Sequence, residues 1–202
     1  MAPDAQGSGV EIVRATGERW DDVATVFGTR GDPSWCWCQF PLTTGSTYED
    51  SVEHNRAALR EELSAPAPGR AVGLLAYVGG EPVGWAQLGP RARFPRVTAS
   101  AAQSALLRRV GAADDAWRVT CFVVRVGHRR AGVATALLDG AIAHAREAGA
   151  RSLEGNPVDV AARSARSSGA SLFPGALSTF LAAGFREVGR TGPTRPLVVL
   201  DL

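Results

Sequence analysis

Lysine is absent from the 202-residue sequence, and all 22 basic residues are arginine. A Walker A phosphate loop requires a lysine, so this motif is excluded. No G-x-G-x-x-G follows a predicted strand, which leaves a dinucleotide-binding Rossmann site without support. Basic and acidic residues nearly balance, and a net charge of +2 gives no reason to expect a nucleic-acid partner.

Cysteine and long apolar runs are also scarce. The three cysteines, Cys36, Cys38 and Cys121, are too few for a disulfide framework and predict a reducing compartment, the cytoplasm. Their spacing offers no tetrahedral zinc set, so we expect no bound metal. No apolar run approaches the ~20 residues that span a bilayer, and the N-terminus lacks the apolar segment of a signal peptide, so we expect no membrane partner.

The remaining pattern predicts a single mixed α/β domain over residues 9–202, preceded by a disordered leader at 1–8. Apolar runs bounded by glycine or proline predict strands, and apolar residues at helical spacing predict helices. The predicted strands are 10–15, two arms of a hairpin around Gly79-Gly80 within 70–90, 116–126, 151–159, 185–190 and 195–202. The predicted helices are 18–29, 50–63, 97–111, 132–148 and 175–185.

The stretch VGHRRAGVATALL, residues 126–138, joins the most apolar strand to a helix. The first N–H groups of a helix lack internal partners and carry partial positive charge. Gly132 lets a ligand approach the backbone, and Arg129 and Arg130 offer forked guanidinium groups to phosphate oxygens. The stretch therefore predicts a pyrophosphate site. An ordinary strand–helix turn with solvated arginines is the alternative.

Residues 129–134, RRAGVA, match [RQ]-x-x-G-x-[GA], the pyrophosphate loop of the GNAT superfamily of acyl-CoA-dependent N-acetyltransferases, which the chain resembles. The strand CFVVRVGHR and the closing LFPGALSTFLAAGFREVGR extend the resemblance from about residue 70 to the C-terminus. It implies one GNAT-like domain with a mixed sheet of about seven strands, flanked by about four helices and splayed between its fourth and fifth strands. SWCWCQF and LEGNPVD also resemble a bacterial subgroup of the superfamily, and the composition suggests an actinobacterial genome.

The resemblance implies acetyl-CoA as cosubstrate and assigns its contacts by position. Phe122, Val123 and Val124 would lie along the pantetheine arm and lend it main-chain groups. A main-chain N–H near Val124 would receive the thioester carbonyl oxygen and stabilise the charge that develops there. The pyrophosphate would be held by Arg129, Arg130, Ala131, Gly132, Val133, Ala134 and Thr135.

Two positions depart from the family's pattern. Phe180 stands four residues before Gly184, where many members carry a tyrosine that protonates the leaving thiolate. Phe173 stands where an asparagine often contacts the cofactor. We interpret Phe180 as packing, so the acid is another group, a water or unnecessary, since a thiolate of pKa about 8.5 leaves tolerably unassisted.

Glu154 is the candidate general base, because a charged residue within the strand that follows the cofactor helix requires a reason. An exposed position on the sheet, or a salt bridge to an arginine, is the alternative. Trp35 and Trp37 would share one face of an extended segment and could wall the acceptor pocket, although packing in the core is the favoured interpretation. Cys121 could carry an acyl group, but a cysteine buried in a strand is usually inert.

The sequence therefore predicts an enzyme that transfers an acetyl group from acetyl-CoA to a primary amine of a small molecule, peptide or protein by direct attack. An acyl-CoA-binding regulatory protein with little or no catalysis is one alternative, favoured by Phe180. A transferase of a longer acyl group, with Arg125 contacting an extra carboxylate, is another. The protein would be a monomer or a homodimer, the latter through the apolar closing strand PLVVLDL if it forms an exposed edge.

Overall fold

A computed structural model of the chain describes residues 9–31, 33–44, 48–49, 51–65, 73–109, 115–162 and 172–202. The predicted leader at 1–8 lies outside these residues. The strands are β1 (Val10–Arg14), β2 (Gly73–Val78), β3 (Glu81–Pro90), β4 (Trp117–Val124), β5 (Ser152–Gly155), β6 (Arg186–Gly192) and β7 (Arg195–Asp201). The helices are α1 (Trp20–Phe27), α2 (Pro33–Cys36), α3 (Val52–Ser64), α4 (Pro95–Thr98), α5 (Ala101–Arg109), α6 (Val133–Glu147) and α7 (Leu177–Ala182).

The seven strands form one mixed sheet in the order β1-β2-β3-β4-β5-β7-β6. Every neighbouring pair is antiparallel except β4 and β5, which are parallel. The register of β4 with β5 contains two pairs, Trp117 with Leu153 and Arg118 with Glu154. Because β4 continues to Val124, most of its length lies beside the gap between β4 and β5, which is the predicted splay. The predicted α/β fold is confirmed.

Helices cover both faces of the sheet because side chains alternate along each strand. On one face α6 packs over a core that includes Val83, Ala86 and Val119. On the other face α1 and α3 enclose Trp85 and Val123. The sheet lies between the two cores, and β4 contributes side chains to both of them. No helix in the described ranges is long and apolar enough to cross a membrane.

The closing strand β7 lies inside the sheet, between β5 and β6. The expectation that PLVVLDL forms an exposed edge is therefore wrong, because the β6–β7 hairpin folds back and inserts β7 beside β5. The outer strand at this end is β6, whose register with β7 is interrupted twice, near Gly189 and near Gly192. Arg190 of β6 forms ion pairs with Glu187 and with Asp159.

Candidate active site

The turn between β4 and α6 forms the candidate phosphate loop, residues 125–132. Gly127, Arg130 and Gly132 adopt left-handed backbone with φ angles of 96°, 61° and 81°. Arg130 is the informative residue, since a left-handed residue other than glycine costs about 1–3 kcal/mol and such strain clusters at functional sites. Turns of this kind direct successive N–H groups into a concavity that binds anions.

The start of α6 adds to this concavity. Gly132 is the residue before the helix, and no described side chain caps the first turn. A Cβ at Gly132 would meet no described atom within 4 Å, so the backbone is open to an approaching ligand. The first-turn residues Val133, Ala134 and Thr135 lie where the resemblance assigns pyrophosphate contacts. The loop and helix start therefore fit a pyrophosphate in shape and in charge.

Two arginines of the loop have different partners. Arg129 donates from Nε to the Val124 carbonyl oxygen at 3.1 Å, which ties the loop to the end of β4. Arg125 forms an ion pair with Glu81 at 2.6 Å and donates to the Pro82 carbonyl oxygen at 3.0 Å. Arg125 is thus bound to the β2–β3 hairpin, which gives no support to its contacting an extra acyl carboxylate.

The backbone of β4 presents its N–H groups alternately to β3 and to the splay. The Arg125 N–H donates to the Val83 carbonyl of β3 at 2.9 Å, whereas the Phe122 N–H donates to the Phe173 carbonyl at 2.6 Å. Because residues two apart direct their N–H groups to the same side, the Val124 N–H faces the splay with that of Phe122. By the same rule the Val123 N–H faces β3, so it does not donate a hydrogen bond to a ligand in the splay.

Glu154 lies on β5, fully buried, with both carboxylate oxygens bonded to arginines. Its Oε1 accepts from Arg91 Nη1 at 2.6 Å, and its Oε2 accepts from Arg118 Nη1 at 3.0 Å. Glu154 therefore forms salt bridges to arginine, which was the alternative to a catalytic role, and it is not exposed on the sheet. An acceptor amine would have to share an oxygen with an arginine, and the role of general base stays a prediction.

Arg118 is the centre of this buried polar cluster. Its Nη2 also donates to Gln103 Oε1 at 2.9 Å and to Asn156 Oδ1. Burial lowers the pKa of Arg118 to about 10, while the charge of Glu154 limits the fall and that of Arg91 adds to it. Arg118 was not predicted from the sequence as a functional residue, although a charged side chain within the apolar run AWRVTCFVVRV is as unusual as Glu154 within its strand.

The SWCWCQF segment is a helical turn followed by two left-handed residues, so it is not extended. Trp37 and Cys38 have φ angles of 42° and 55°. Trp37 is buried and stacks on Phe27 with ring centroids 4.9 Å apart, whereas Trp35 is 58% exposed. The two tryptophans therefore do not share a face, and Trp37 packs in the core. Whether Trp35 contacts an acceptor stays a prediction.

A second buried polar group joins this segment to the central strands. Gln87 of β3 donates from Nε2 to the Cys38 carbonyl at 2.8 Å and accepts from Thr120 Oγ1 at 2.7 Å. Thr120 occupies the irregularity where β3 and β4 shift register. Burial and then a hydrogen bond with the Cys121 thiol raise the pKa of Cys38 well above its ordinary value, which fits an unreactive thiol at Cys38.

Phe180 is fully buried and makes edge-on contacts with two phenylalanine rings. Its centroid lies 6.1 Å from that of Phe122 and 4.9 Å from that of Phe185. The Phe180 side chain thus packs in the core, in agreement with its interpretation as a packing residue. Phe173 is 41% exposed and borders the splay through its carbonyl. Among the described residues, no group of three or more histidine, cysteine or acidic side chains is placed to hold a metal ion.

The chain belongs to the acetyltransferase (GNAT) family, whose sequence model matches residues 34–166. This family generally uses acetyl-CoA. Among solved structures, the chain is similar to an acetyltransferase from Thermus thermophilus, with 19% identity, a TM-score of 0.54, and 96% of this chain and 97% of the other covered. It is also similar to a GCN5-related N-acetyltransferase from Kribbella flavida, with 15% identity, a TM-score of 0.56, and coverage of 96% and 98%.

A third similar structure is the Drosophila melanogaster polyamine N-acetyltransferase, described as catalysing the formation of N-acetylagmatine. It has 13% identity, a TM-score of 0.57, and coverage of 96% of this chain and 100% of the other. At these identities the three structures support the fold alone. A search among curated proteins gave no match.

Proposed function

We propose that the protein transfers an acetyl group from acetyl-CoA to a primary amine of a small molecule, peptide or protein by direct attack. The observation that carries this proposal is the position of the candidate phosphate loop, which follows directly from the end of β4 that lies beyond the pairing of β4 with β5. A pyrophosphate bound by the loop would then lie at this end of β4, with the backbone of β4 open to the rest of the cofactor. Direct transfer also agrees with buried thiols at Cys38 and Cys121.

In this proposal the main chain does most of the chemistry. The Val124 N–H donates to the thioester carbonyl oxygen and stabilises the negative charge that develops as the amine attacks. Arg129 and Arg130 hold the pyrophosphate, with the N–H groups of residues 131–135. Phe180 provides no proton, so the thiolate leaves unassisted or takes a proton from water.

The proton of the amine requires an acceptor because most amines are protonated at pH 7. Glu154 is the proposed base, and to act it has to exchange one arginine contact for the amine or a bridging water. Trp35 is the proposed wall of the acceptor site, since its ring is exposed on the short helix α2, which follows α1. Trp37 supports this segment from the core rather than touching the acceptor.

An acyl-CoA-binding regulatory protein is the second candidate, and the buried Phe180 favours it. The two functions differ in turnover. An amine panel incubated with acetyl-CoA and the protein releases free CoA only if the protein is an enzyme. Release above the protein-free rate supports the transferase, and tight binding without release supports the regulatory protein.

Isothermal titration with acetyl-CoA tests the cofactor site. The unaltered chain should bind, and the double variant Arg129→Ala/Arg130→Ala should lose at least tenfold in affinity, because two guanidinium contacts to phosphate are removed. Arg146→Ala, in the last turn of α6 and away from the loop, is the matched control and should bind as the unaltered chain does. Failure of the unaltered chain to bind acetyl-CoA would refute the proposal.

Three broader assignments belong to the same proposal. The WCWC segment and LEGNPVD support a bacterial, actinobacterial subgroup of the family. The free cysteines fit a cytoplasmic protein. Residues 9–202 form the acetyltransferase domain, acting as a monomer or homodimer, with an amine acceptor rather than nucleic acid, a membrane or a metal ion as its partner.

A further inference from the structure

Residues 91–109 follow β3, contain α4 and α5, and lie over one end of the sheet; we call them the cover. The face that they occupy follows from Arg118. Trp117 and Val119 contribute to the core beneath α6, so the residue between them points to the opposite face, that of α1 and α3. Arg118 Nη2 donates to Gln103 Oε1 of α5 at 2.9 Å, which places the cover above the start of β4.

The cover is attached at both of its margins. Toward β6, a Cβ at Gly189 would lie 2.5 Å from the Leu106 side chain, so α5 packs directly against this strand. At the other margin, Arg96 of α4 donates from Nε to the Phe40 carbonyl at 2.8 Å and from Nη2 to the Thr44 carbonyl at 3.1 Å. Its guanidinium group also lies 3.8 Å from the centroid of the Phe40 ring. The cover therefore extends from β6 to the segment that follows α2.

Glu154 lies beneath the cover. Its side chain is fully buried, and Arg91, the first residue of the cover, donates to Oε1 at 2.6 Å. Arg118, which binds the other oxygen at 3.0 Å, is the residue that α5 contacts from above. Arg93 of the cover forms an ion pair with Glu62 of α3 at 2.5 Å, which joins the cover to the neighbouring helix layer. An amine that reaches Glu154 on this face has to pass a layer of helix.

The thickness of this layer discriminates between acceptors. A helix with its side chains is about 10 Å across. The five bonds of a lysine side chain, each about 1.5 Å long, place its amine only roughly 6 Å from its Cα. A lysine on a folded protein that rests on the cover therefore stops short of Glu154, whereas a free small amine needs only a passage of its own width.

We propose that the cover restricts the acceptor to a small molecule and excludes lysines on the surface of folded proteins. The inference rests on the proposed function, because it takes the amine to react beside Glu154. It selects one of the acceptor classes that the proposed function includes. The exclusion arises from the depth of the reacting group beneath a helical layer and requires no particular charge on the acceptor.

An amine held at different distances from a protein surface tests the cover. A panel of small primary amines with acetyl-CoA first identifies the best acceptor through the release of CoA. That amine is then joined to biotin by linkers that extend about half or about twice the thickness of a helix beyond bound streptavidin. Streptavidin should lower kcat/KM at least tenfold for the short conjugate and have little effect on the long one. Lysines of folded lysozyme should gain no acetyl group by mass spectrometry.

Arg96→Ala removes the attachment of the cover at the margin of Phe40 and Thr44. In the folded variant, kcat/KM for the short conjugate on streptavidin should rise at least threefold relative to that for the free amine. Arg108→Ala, exposed at the end of α5, is the matched control and should leave this ratio unchanged.

Four results would overturn the cover and leave the proposed function standing. These are equal rates for the short conjugate with and without streptavidin, equal losses for both linkers, acetylation of folded lysozyme, and an unchanged ratio in folded Arg96→Ala. The absence of CoA release with every small amine and with lysozyme would instead refute the proposed function.

Discussion

Replacing Glu154 with glutamine tests what the buried carboxylate contributes. The change removes the negative charge between Arg91 and Arg118, whose side chains are 13% and 2% exposed. Removing one partner of a buried ion pair costs about 3–5 kcal/mol, because the other charge is left uncompensated. We expect about 3 kcal/mol, since the glutamine carbonyl can still accept one of the two hydrogen bonds. This is a large part of the about 5–15 kcal/mol that stabilises a typical domain.

Urea denaturation at pH 7 measures this loss through the midpoint and slope of the transition. Glu81→Gln is the control, because Glu81 pairs with Arg125 at the surface and its side chain is 51% exposed. Loss of that exposed pair should cost less than about 1 kcal/mol. A Glu154→Gln variant as stable as Glu81→Gln would refute the reasoning from burial.

The same variant separates the two roles of Glu154 when turnover and cofactor binding are both measured. If Glu154 is the base, Glu154→Gln should lower kcat in the folded protein while acetyl-CoA affinity is unchanged. If Glu154 only joins β4 to β5, stability falls and the folded fraction retains its kcat.

Three further predictions concern single side chains. Trp37→Ala should cost about 3–5 kcal/mol in urea denaturation, whereas Trp35→Ala should cost less than about 0.5 kcal/mol, and equal losses would contradict their different burial. Burial and the nearby Arg14 charge lower the pKa of His144, so the unfolded chain gains the proton first as pH falls below about 6.5 and stability is lost. His144→Gln should reduce the loss of stability between pH 7 and pH 5, and an undiminished loss would exclude His144 as its source. Gly132→Ala should weaken acetyl-CoA binding in titration, since φ of 81° strains an alanine by about 1–2 kcal/mol, and unchanged affinity would show that the loop tolerates another backbone shape.

Features set by local sequence were the ones that could be predicted. The helix predicted over 132–148 is observed at Val133–Glu147. Its start follows Gly132, and its length follows from the amphipathic run after this glycine. The hairpin around Gly79-Gly80 follows from two adjacent glycines with positive φ. The turn before α6 also depends on a few consecutive residues, since Gly127 and Gly132 adopt its positive φ angles, whereas its role in binding a phosphate stays a prediction.

Features set by distant contacts could not be predicted. The pairing of Arg118 with Glu154 depends on the register of two parallel strands that a helix separates, and no local pattern encodes that register. The position of β7 depends on the order of strands across the sheet. Trp37 and Cys38 adopt left-handed backbone against their own preference, because burial of the indole ring and the bond from Gln87 outweigh the strain.

The outer strand β6 affects how the molecule behaves among its own copies. An exposed strand offers unpaired N–H and C=O groups on which another chain can add, and a regular, uncharged strand offers them best. In β6 the regular spacing is broken at two places, and Arg186, Glu187 and Arg190 bring charge to the rim. An incoming strand would lose alignment within a few residues and would have to strip water from these charges. The end of the sheet at which the chain closes is thereby protected against aggregation at the concentrations of a crowded cell.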